Sequence, residues 1–331
     1  MPNPTRFLSC DWGTSSFRLK LVALPGLRVL ATATSDEGNA ATFAAWQQAQ
    51  QPTGQRGAFY RAVIQKHLRT LETQLGTSLD DLPLVISGMA SSTIGMRELP
   101  YKAFPFATDG SDLATLLLPA TVDFRHPTLL VSGVRTADDV MRGEEVQLVG
   151  CGFAPTGEDQ LFLHPGTHCK HVTIRHGQAV ALQTYMTGEF FALLSGQSIL
   201  AASVRAGGDL GTAAYRQAFE QGVRASPRAH LLHNAFRVRT NDLFDKLSRP
   251  ANFYYLSGIL IGAELSTFPA SFTGRIVLAG EAHLLDHYQT ALAVLGITDR
   301  AAAVTTQGAA DVTLRGQAAL LSRLDSAALS S

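Results

Sequence analysis

Charge is scarce in this chain. Only 16% of its 331 residues are Asp, Glu, Lys or Arg, and 27 basic side chains balance 27 acidic ones. A neutral chain without basic runs argues against nucleic acid and an anionic membrane surface as partners, because both are held by clustered Lys and Arg. Small anionic ligands, held by local groups, stay open. Cysteine is also scarce. Cys10, Cys151 and Cys169 are odd in number and their spacings fit neither a disulfide framework nor a zinc signature. The expected setting is therefore the reducing cytoplasm. Long apolar runs are missing as well: none approaches the ~20 residues of a membrane-spanning helix, and Asp11 cuts the first one short for a secretory signal. The phosphate-binding patterns GxxxxGK[ST] and GxGxxG do not occur, so nucleotide binding needs another device here.

What is present is apolar residue, at 46% of the chain. That suffices for packed cores and excludes a disordered chain. The length suggests two domains, since one core rarely grows past ~250–300 residues. The pattern predicts strands at 6–11, 17–23 and 28–33, a helix at 56–75 closed by Gly76, strands at 84–86 and 129–131, and a helix over 138–149. The order then repeats: strands at 161–163, 170–174 and 179–184, helices at 187–195, 211–223 and 252–267, a strand at 275–279, and helices at 282–295 and 311–327. Three strands open each half. The glycine- and proline-bearing stretch at 150–157 marks the boundary, giving domains 1–152 and 153–331, which are expected to face each other across a ligand-binding cleft.

The first strand ends on Asp11, and Gly13-Thr14-Ser15-Ser16 turns into the next strand at once. Glycine admits an anion close to the backbone, while successive N–H groups and hydroxyls wrap it. An acid at the strand end can hold hydrated Mg²⁺ beside phosphates. Pro165-Gly166-Thr167-His168 repeats the Gly-Thr pair in the second half. Its surroundings, His164, His168, Cys169 and His171, raise zinc as a competing reading. The positions straddle a turn and do not share one strand face, which disfavours a tetrahedral site. Asp138, Asp139, Arg142, Glu144 and Glu145 form the densest charge cluster. Asp138 and Asp139 suit a helix N-terminus, and a carboxylate fixed there can accept the proton of an attacking hydroxyl. Arg142 suits either a substrate carboxylate or the transferred phosphoryl group. The loops Asp36–Asn39, Ser87–Ser92 and Arg97–Tyr101 carry groups for a polyhydroxylated substrate, and Met186–Glu189 opens a helix. Gly258 and Gly262, four apart in an apolar helix, permit close helix contact.

The segments DWGTSSFRL (11–19), SGMASSTIGMRELPY (87–101), DDVMRGEEVQLVG (138–150), PGTHCKHV (165–172), MTGE (186–189) and LSGILIGAEL (256–265) together resemble the 2-dehydro-3-deoxygalactonokinase family, sugar-acid kinases of the actin/hexokinase superfamily. The resemblance implies an α/β fold of two ribonuclease-H-like domains with ATP in the cleft between them. It implies phosphoryl transfer from ATP, with Mg²⁺, to the terminal hydroxyl of 2-dehydro-3-deoxy-galactonate. Matched by motif, Asp11, Gly13, Thr14 and Ser15 form the first phosphate loop, with Asp11 holding Mg²⁺ through water. Gly166, Thr167 and His168 form the second, and Gly280 lies on the adenosine side. Of the catalytic candidates, Asp139 fits the sugar-kinase form of the base and Glu145 the exopolyphosphatase form; Asp139 is preferred, with Arg142 beside it. Glu37, Gly38, Ser91, Ser92, Glu98, Tyr101 and Glu189 are expected toward the sugar acid. The family usually has an aromatic residue where Met96 stands and a Gly-Ser form where Ala90-Ser91-Ser92 stands, so galactonate-versus-gluconate choice stays open. Glu144 and Glu145 also suit a phosphohydrolase of the same superfamily. The sequence sets no oligomeric state, and a homodimer stays open.

Overall fold

A computed structural model of the chain describes residues 4–269 and 271–324. Its contacts divide into two compact units. Unit 1 comprises the residues up to Pro155, the short stretch Gly177–Ala181 and the residues from Ala310 onward; unit 2 comprises Thr156–His176 and Leu182–Ala309.

Unit 1 is built on a six-stranded sheet. The strands β1 (Arg6–Trp12), β2 (Phe17–Ala23) and β3 (Arg28–Ser35) run as an antiparallel meander. Helices α1 (Asn39–Gln48) and α2 (Arg56–Leu75) follow, and Gly76 ends α2 with φ 65°, the left-handed residue that closes a helix most readily. Strand β4 (Leu84–Gly88) then returns parallel to β1. The short strands β5 (Lys102–Ala103), β6 (Phe106–Ala107) and β7 (Thr115–Leu118) lead to β8 (Thr128–Val131), which runs parallel to β4. The sheet order is β3-β2-β1-β4-β8-β7. The hairpin β9 (Val134–Arg135) and β10 (Val140–Met141) and helix α3 (Glu144–Cys151) complete this stretch. The β1 and β2 face packs on α2 through fully buried Trp12, Phe17, Tyr60 and Ile64, each contributing roughly 1.5–3 kcal/mol of apolar burial. Met96 and Ala90 belong to the same core, so the departures at those positions fall on interior side chains.

Unit 2 repeats the plan. Strands β11 (Gln160–His164) and β12 (Cys169–Arg175) are antiparallel, β13 (Gln178–Tyr185) lies beside β12, and the first residues of β13, which belong to unit 1, pair there with β6. Helices α4 (Thr187–Gln197), α5 (Ala213–Ala225), α6 (Leu231–Leu243) and α7 (Arg249–Leu265) precede β14 (Arg275–Gly280), which runs parallel to β11. Then come α8 (Ala282–Val294), the short α9 (Ile297–Arg300) and β15 (Ala303–Gly308), parallel to β14. The order β13-β12-β11-β14-β15 matches β3-β2-β1-β4-β8. Helix α7 is apolar nearly all round because it is covered on several sides. Gly258 presses on the Phe219 carbonyl of α5, where an added Cβ would come within 2.1 Å. The glycines four apart therefore do serve close helix contact.

The last helix, α10 (Ala309–Ser322), returns to unit 1. This departs from a single break at 152/153, and the reason is packing. A Cβ on Gly316 would lie 1.9 Å from the Val146 carbonyl of α3, and one on Gly150 1.8 Å from the Val312 carbonyl. Buried Gln317 donates to the Cys10 carbonyl (3.0 Å) and to the Ser87 hydroxyl (2.8 Å), binding β1 and β4 together. The helix expected at 311–327 ends at Ser322, and positions 325–327 lie outside the described residues. The helix expected over 138–149 is also different. Residues 136–139 form the turn of the β9–β10 hairpin, where the Thr136 hydroxyl accepts from the N–H groups of Asp138 (3.2 Å) and Asp139 (2.9 Å). That local hydroxyl–backbone turn competes with the helix. Helix α3 begins only after Gly143, at φ 110°.

Gly316→Val is expected to cost at least about 3 kcal/mol, since neither helix backbone can retreat. Gly196→Ala, in α4 with nothing within 4 Å of the added carbon, is expected to be neutral or to stabilise by up to ~1 kcal/mol. Urea unfolding of the two variants checks the contrast.

Candidate active site

In unit 1, β1 delivers Asp11 to its carboxyl end, and the turn that follows is closed by the Gly13 N–H donating to the Ser16 carbonyl (2.9 Å). Thr14 and Ser15 are exposed, and their N–H groups donate to no backbone carbonyl among the described residues. The turn is held from behind by Asn39. Its backbone N–H donates to the Gly13 carbonyl (2.9 Å), and its side-chain amide donates to the Trp12 (2.8 Å) and Gly13 (3.2 Å) carbonyls. Asn39 is fully buried. Gly38 lies so close that a Cβ would meet the Thr14 carbonyl at 2.4 Å. This loop therefore braces the Gly13–Ser16 turn from behind. The Glu37 carboxylate is engaged too. It accepts from Lys66 (2.9 Å) and pairs with His67 (2.8 Å), and the Lys66 hydrogen bond, followed by His67, holds its pKa low.

Asp11 pairs with Arg18 across the hairpin at 3.1 Å. Partial burial raises its pKa, the Arg18 charge opposes that rise, and the Glu144 charge adds to it. Glu144 opens α3 at the same corner of the sheet, where a Cβ on Gly143 would lie 3.3 Å from the Gly88 Cα at the end of β4. Glu145, next in α3, is fully buried. Its Oε2 accepts from the Gly143 N–H (2.7 Å), while Oε1 has no partner. Burial, reinforced by the Glu144 charge, pushes its pKa up to about 8. Asp139 is half-buried in the hairpin turn, and its Oδ1 accepts from the Val140 N–H at 2.7 Å.

Three expected residues do come together. The Arg142 Nη1 donates to the Ser91 carbonyl (2.8 Å) and to the Ser91 hydroxyl, and the guanidinium carbon lies 4.1 Å from the Tyr101 ring centre. Two others do not join them. The Ser92 hydroxyl is spent on the Met89 carbonyl (2.7 Å), and Glu98 is exposed in the loop.

In unit 2, the turn Pro165–His168 has the same form, with Thr167 and His168 exposed. Helix α4 starts against it. A Cβ on Gly188 would be 2.4 Å from the Gly166 carbonyl, and the Glu189 N–H donates to the Thr167 carbonyl (3.1 Å). The Glu189 carboxylate pairs with His168 of the turn. Gly280 abuts Pro165, 3.3 Å from an added Cβ. Behind the turn lies a buried polar network absent from the sequence expectations. The Glu264 carboxylate pairs with His171 (2.7 Å) and accepts from the Tyr288 hydroxyl (2.7 Å) and from the Thr187 hydroxyl. Tyr288 in turn meets the Cys169 sulfur at 2.9 Å. Burial pushes the Cys169 thiol up to about 12. His171 and His168 thus have carboxylate partners, and among the described residues no cluster of His, Cys, Asp or Glu suits a metal ion. The one signal for this network in the sequence was an acid, Glu264, inside an apolar helix.

A cavity of about 600 Å³ opens within unit 2. Gly166, Cys169, Thr187 and Gly188 line one part of it, and Gly208–Gly211, Tyr254, Ser257, His283 and His287 line another. The size is that of a small-molecule site. His287 and Tyr254 stack, with ring centres 5.9 Å apart, and the Tyr254 hydroxyl donates to the Gly208 carbonyl (2.9 Å).

The 2-keto-3-deoxy-galactonokinase family matches residues 11–320. A protein of Rhizobium meliloti (strain 1021) named as a probable 2-dehydro-3-deoxygalactonokinase is 32% identical over 300 residues, covering 89% of this chain and 91% of its own length. The 2-dehydro-3-deoxygalactonokinase of Escherichia coli (strain K12) is 27% identical over 300 residues, covering 88% and 90%. Among solved structures, a candidate 2-dehydro-3-deoxygalactonokinase from Sinorhizobium meliloti superposes with a TM-score of 0.75 at 28% identity, covering 96% of each chain.

The state of Glu145 is testable by pH. Its folded pKa lies above the ordinary carboxylate value of 4.5. The folded chain therefore holds a proton that the unfolded chain releases, and stability falls as pH rises from 4.5 to 8. The slope is up to about 1.4 kcal/mol per pH unit in that window. In Glu145→Gln this component disappears, so the variant should gain on the native chain steadily between pH 4.5 and 8 in urea midpoints.

Proposed function

Because the chain belongs to the 2-keto-3-deoxy-galactonokinase family, we propose that it activates the terminal hydroxyl of 2-dehydro-3-deoxy-D-galactonate with Asp139 and holds ATP in the unit 2 cavity. Family membership makes it an ATP-dependent sugar-acid kinase of the two-domain actin/hexokinase-type fold. It phosphorylates the keto-deoxy sugar acid to the 6-phosphate.

The observation that carries the nucleotide reading is the cavity bordered by Gly166 and Thr187. It has room for a nucleoside and reaches the turn whose Thr167 and His168 are exposed. A chain of phosphates laid from the cavity onto that turn meets backbone N–H groups and a helix N-terminus, both suited to anions. Thr14 and Ser15 of the first turn offer the same donors.

Mg²⁺ suits Asp11. A half-buried carboxylate beside a second acid, Glu144, in no larger ligand cluster among the described residues, fits a hydrated ion held by one carboxylate and by phosphates. The ion would neutralise charge on the phosphates. Arg18 already pairs with Asp11 and would have to give way.

Of the two candidate bases, Asp139 is the better placed. Glu145 is wholly buried and, with a pKa of about 8, is only about one-tenth ionised at pH 7. Asp139 is half-exposed and has one oxygen fixed by Val140. As the sugar oxygen bonds to the γ-phosphorus, its proton passes to the Asp139 carboxylate, the bond to the bridging oxygen breaks, and ADP leaves. The setting we propose is the cytoplasm, in keeping with the buried thiols of Cys10 and Cys169; no helix among the described residues is long and apolar enough to cross a membrane.

An ADP-release assay with the galactonate-derived acid and its gluconate epimer tests the reading. Release should depend on the acid and on Mg²⁺, with the galactonate form preferred. Rapid ATP hydrolysis without any sugar acid would instead indicate a phosphohydrolase. Asp139→Asn should lower kcat by ~10²-fold or more while ADP binding is retained. Retained turnover in Asp139→Asn, together with its loss in Glu145→Gln, would reverse the assignment.

A further inference from the structure

We propose that the Nε–Nη2 edge of Arg142 binds the carboxylate of the sugar acid, with Ser91 and Tyr101 as the residues that position the guanidinium for it. The inference rests on the sugar-acid kinase reading and names the side chain that distinguishes an acid from a neutral sugar.

A guanidinium carries five N–H donors in one fixed plane. In Arg142 one end is already spent. Nη1 donates to the carbonyl and hydroxyl of Ser91. That anchor is itself rigid: Ser91 is fully buried, and its hydroxyl donates to the Val131 carbonyl of β8 at 2.7 Å. The Tyr101 ring covers one face of the guanidinium. The opposite edge is not spent. Nε is buried without a partner, and Nη2 donates to no protein group among the described residues. An unpaired buried donor in a native fold calls for an explanation. Nε and Nη2 form the parallel pair that meets a carboxylate with two hydrogen bonds.

Glu145 strengthens the argument. It is near enough for the Arg142 charge to lower its pKa, yet burial outweighs that effect and keeps it protonated at neutral pH. Its Oε1 is the second unpaired buried atom at this place. A protonated carboxyl offers a donor and does not compete as an ion partner for Arg142. A guanidinium edge beside an un-ionised carboxyl can accept a ligand carboxylate without displacing an internal salt bridge. A sugar hydroxyl in the same place would satisfy one N–H and leave the charge unmatched.

The test compares the keto-deoxy acid with its primary amide, in which the carboxylate becomes a carboxamide, on the full chain with Mg²⁺ and ATP. The native enzyme should prefer the acid in kcat/KM by about 10²-fold or more. Arg142→Gln should lose about 10²-fold on the acid, mainly through KM, and only a few-fold on the amide, so the preference collapses toward one. Arg142→Lys should fall between, because a point charge replaces the fork. Stabilisation by ADP in thermal melts should match the native chain, showing a folded nucleotide site. Equal losses on acid and amide, or a fall in kcat with KM unchanged, would overturn the assignment and put Arg142 at the phosphoryl group or in the scaffold. If the native chain phosphorylates neither compound, the sugar-acid reading fails and takes this inference with it. That outcome is separable from the first because it appears without any substitution.

Discussion

A turn that is to bind phosphate, the role we propose for Gly13–Ser16, has to be rigid without being filled. Its N–H groups must stay available to an anion, so its carbonyls must be fixed by something that does not block the front. In unit 1 that constraint is met by one buried amide, Asn39, which takes up the Trp12 and Gly13 carbonyls from behind. Much of the neighbourhood follows from it. Residue 38 must be glycine, because the loop carrying Asn39 lies against Thr14. Trp12 is buried with its indole N–H on the Glu37 carbonyl (2.9 Å), tying the same loop to the end of β1. The Glu37 carboxylate, turned away to Lys66 and His67, anchors the loop to α2.

Unit 2 solves the same problem with different chemistry. Its turn is backed by helix α4 and a hydrogen-bonded chain of Cys169, Tyr288, Glu264, His171 and Thr187. A buried carboxylate is tolerable there because three donors satisfy it. The two sheets share strand order while the side chains behind their turns share nothing. The repeat is therefore one of backbone geometry, and the Gly-Thr pairs at 13–14 and 166–167 are its visible trace.

Much of the fold was legible because strands and helices announce themselves by period. The meander at 6–35, the helix at 56–75 and the β14–α8 step all follow from spacing and glycine stops. The failure at 138–149 is instructive. Two aspartates ahead of an apolar run looked like a helix start, but Thr136 offered the backbone a tighter local turn, and the break came at Gly143. The site was half legible. Ser91, Tyr101 and Arg142 were identified singly, and only the structure places them in contact. Asn39, Gln317 and Tyr288 act through partners far along the chain; Gln317 and Cys10 are 307 positions apart. No local pattern carries that information. Gly38 and Glu189 each lie against one of the two turns, a contact that no local motif announces.

The return of α10 to unit 1 has a consequence for how the protein is made. Unit 1 is discontinuous in sequence, and the groove of α3 at Val146 and Gly150 is completed only by a helix that begins at Ala309. A ribosome that has finished α3 must still build all of unit 2 before that helix exists. At the usual ~5–20 residues per second, this is a wait of roughly ten to thirty seconds. Through that interval β1 and β4 lack the amide of Gln317, and α3 shows bare apolar surface. The part of the enzyme synthesised first therefore waits for a helix made only after unit 2.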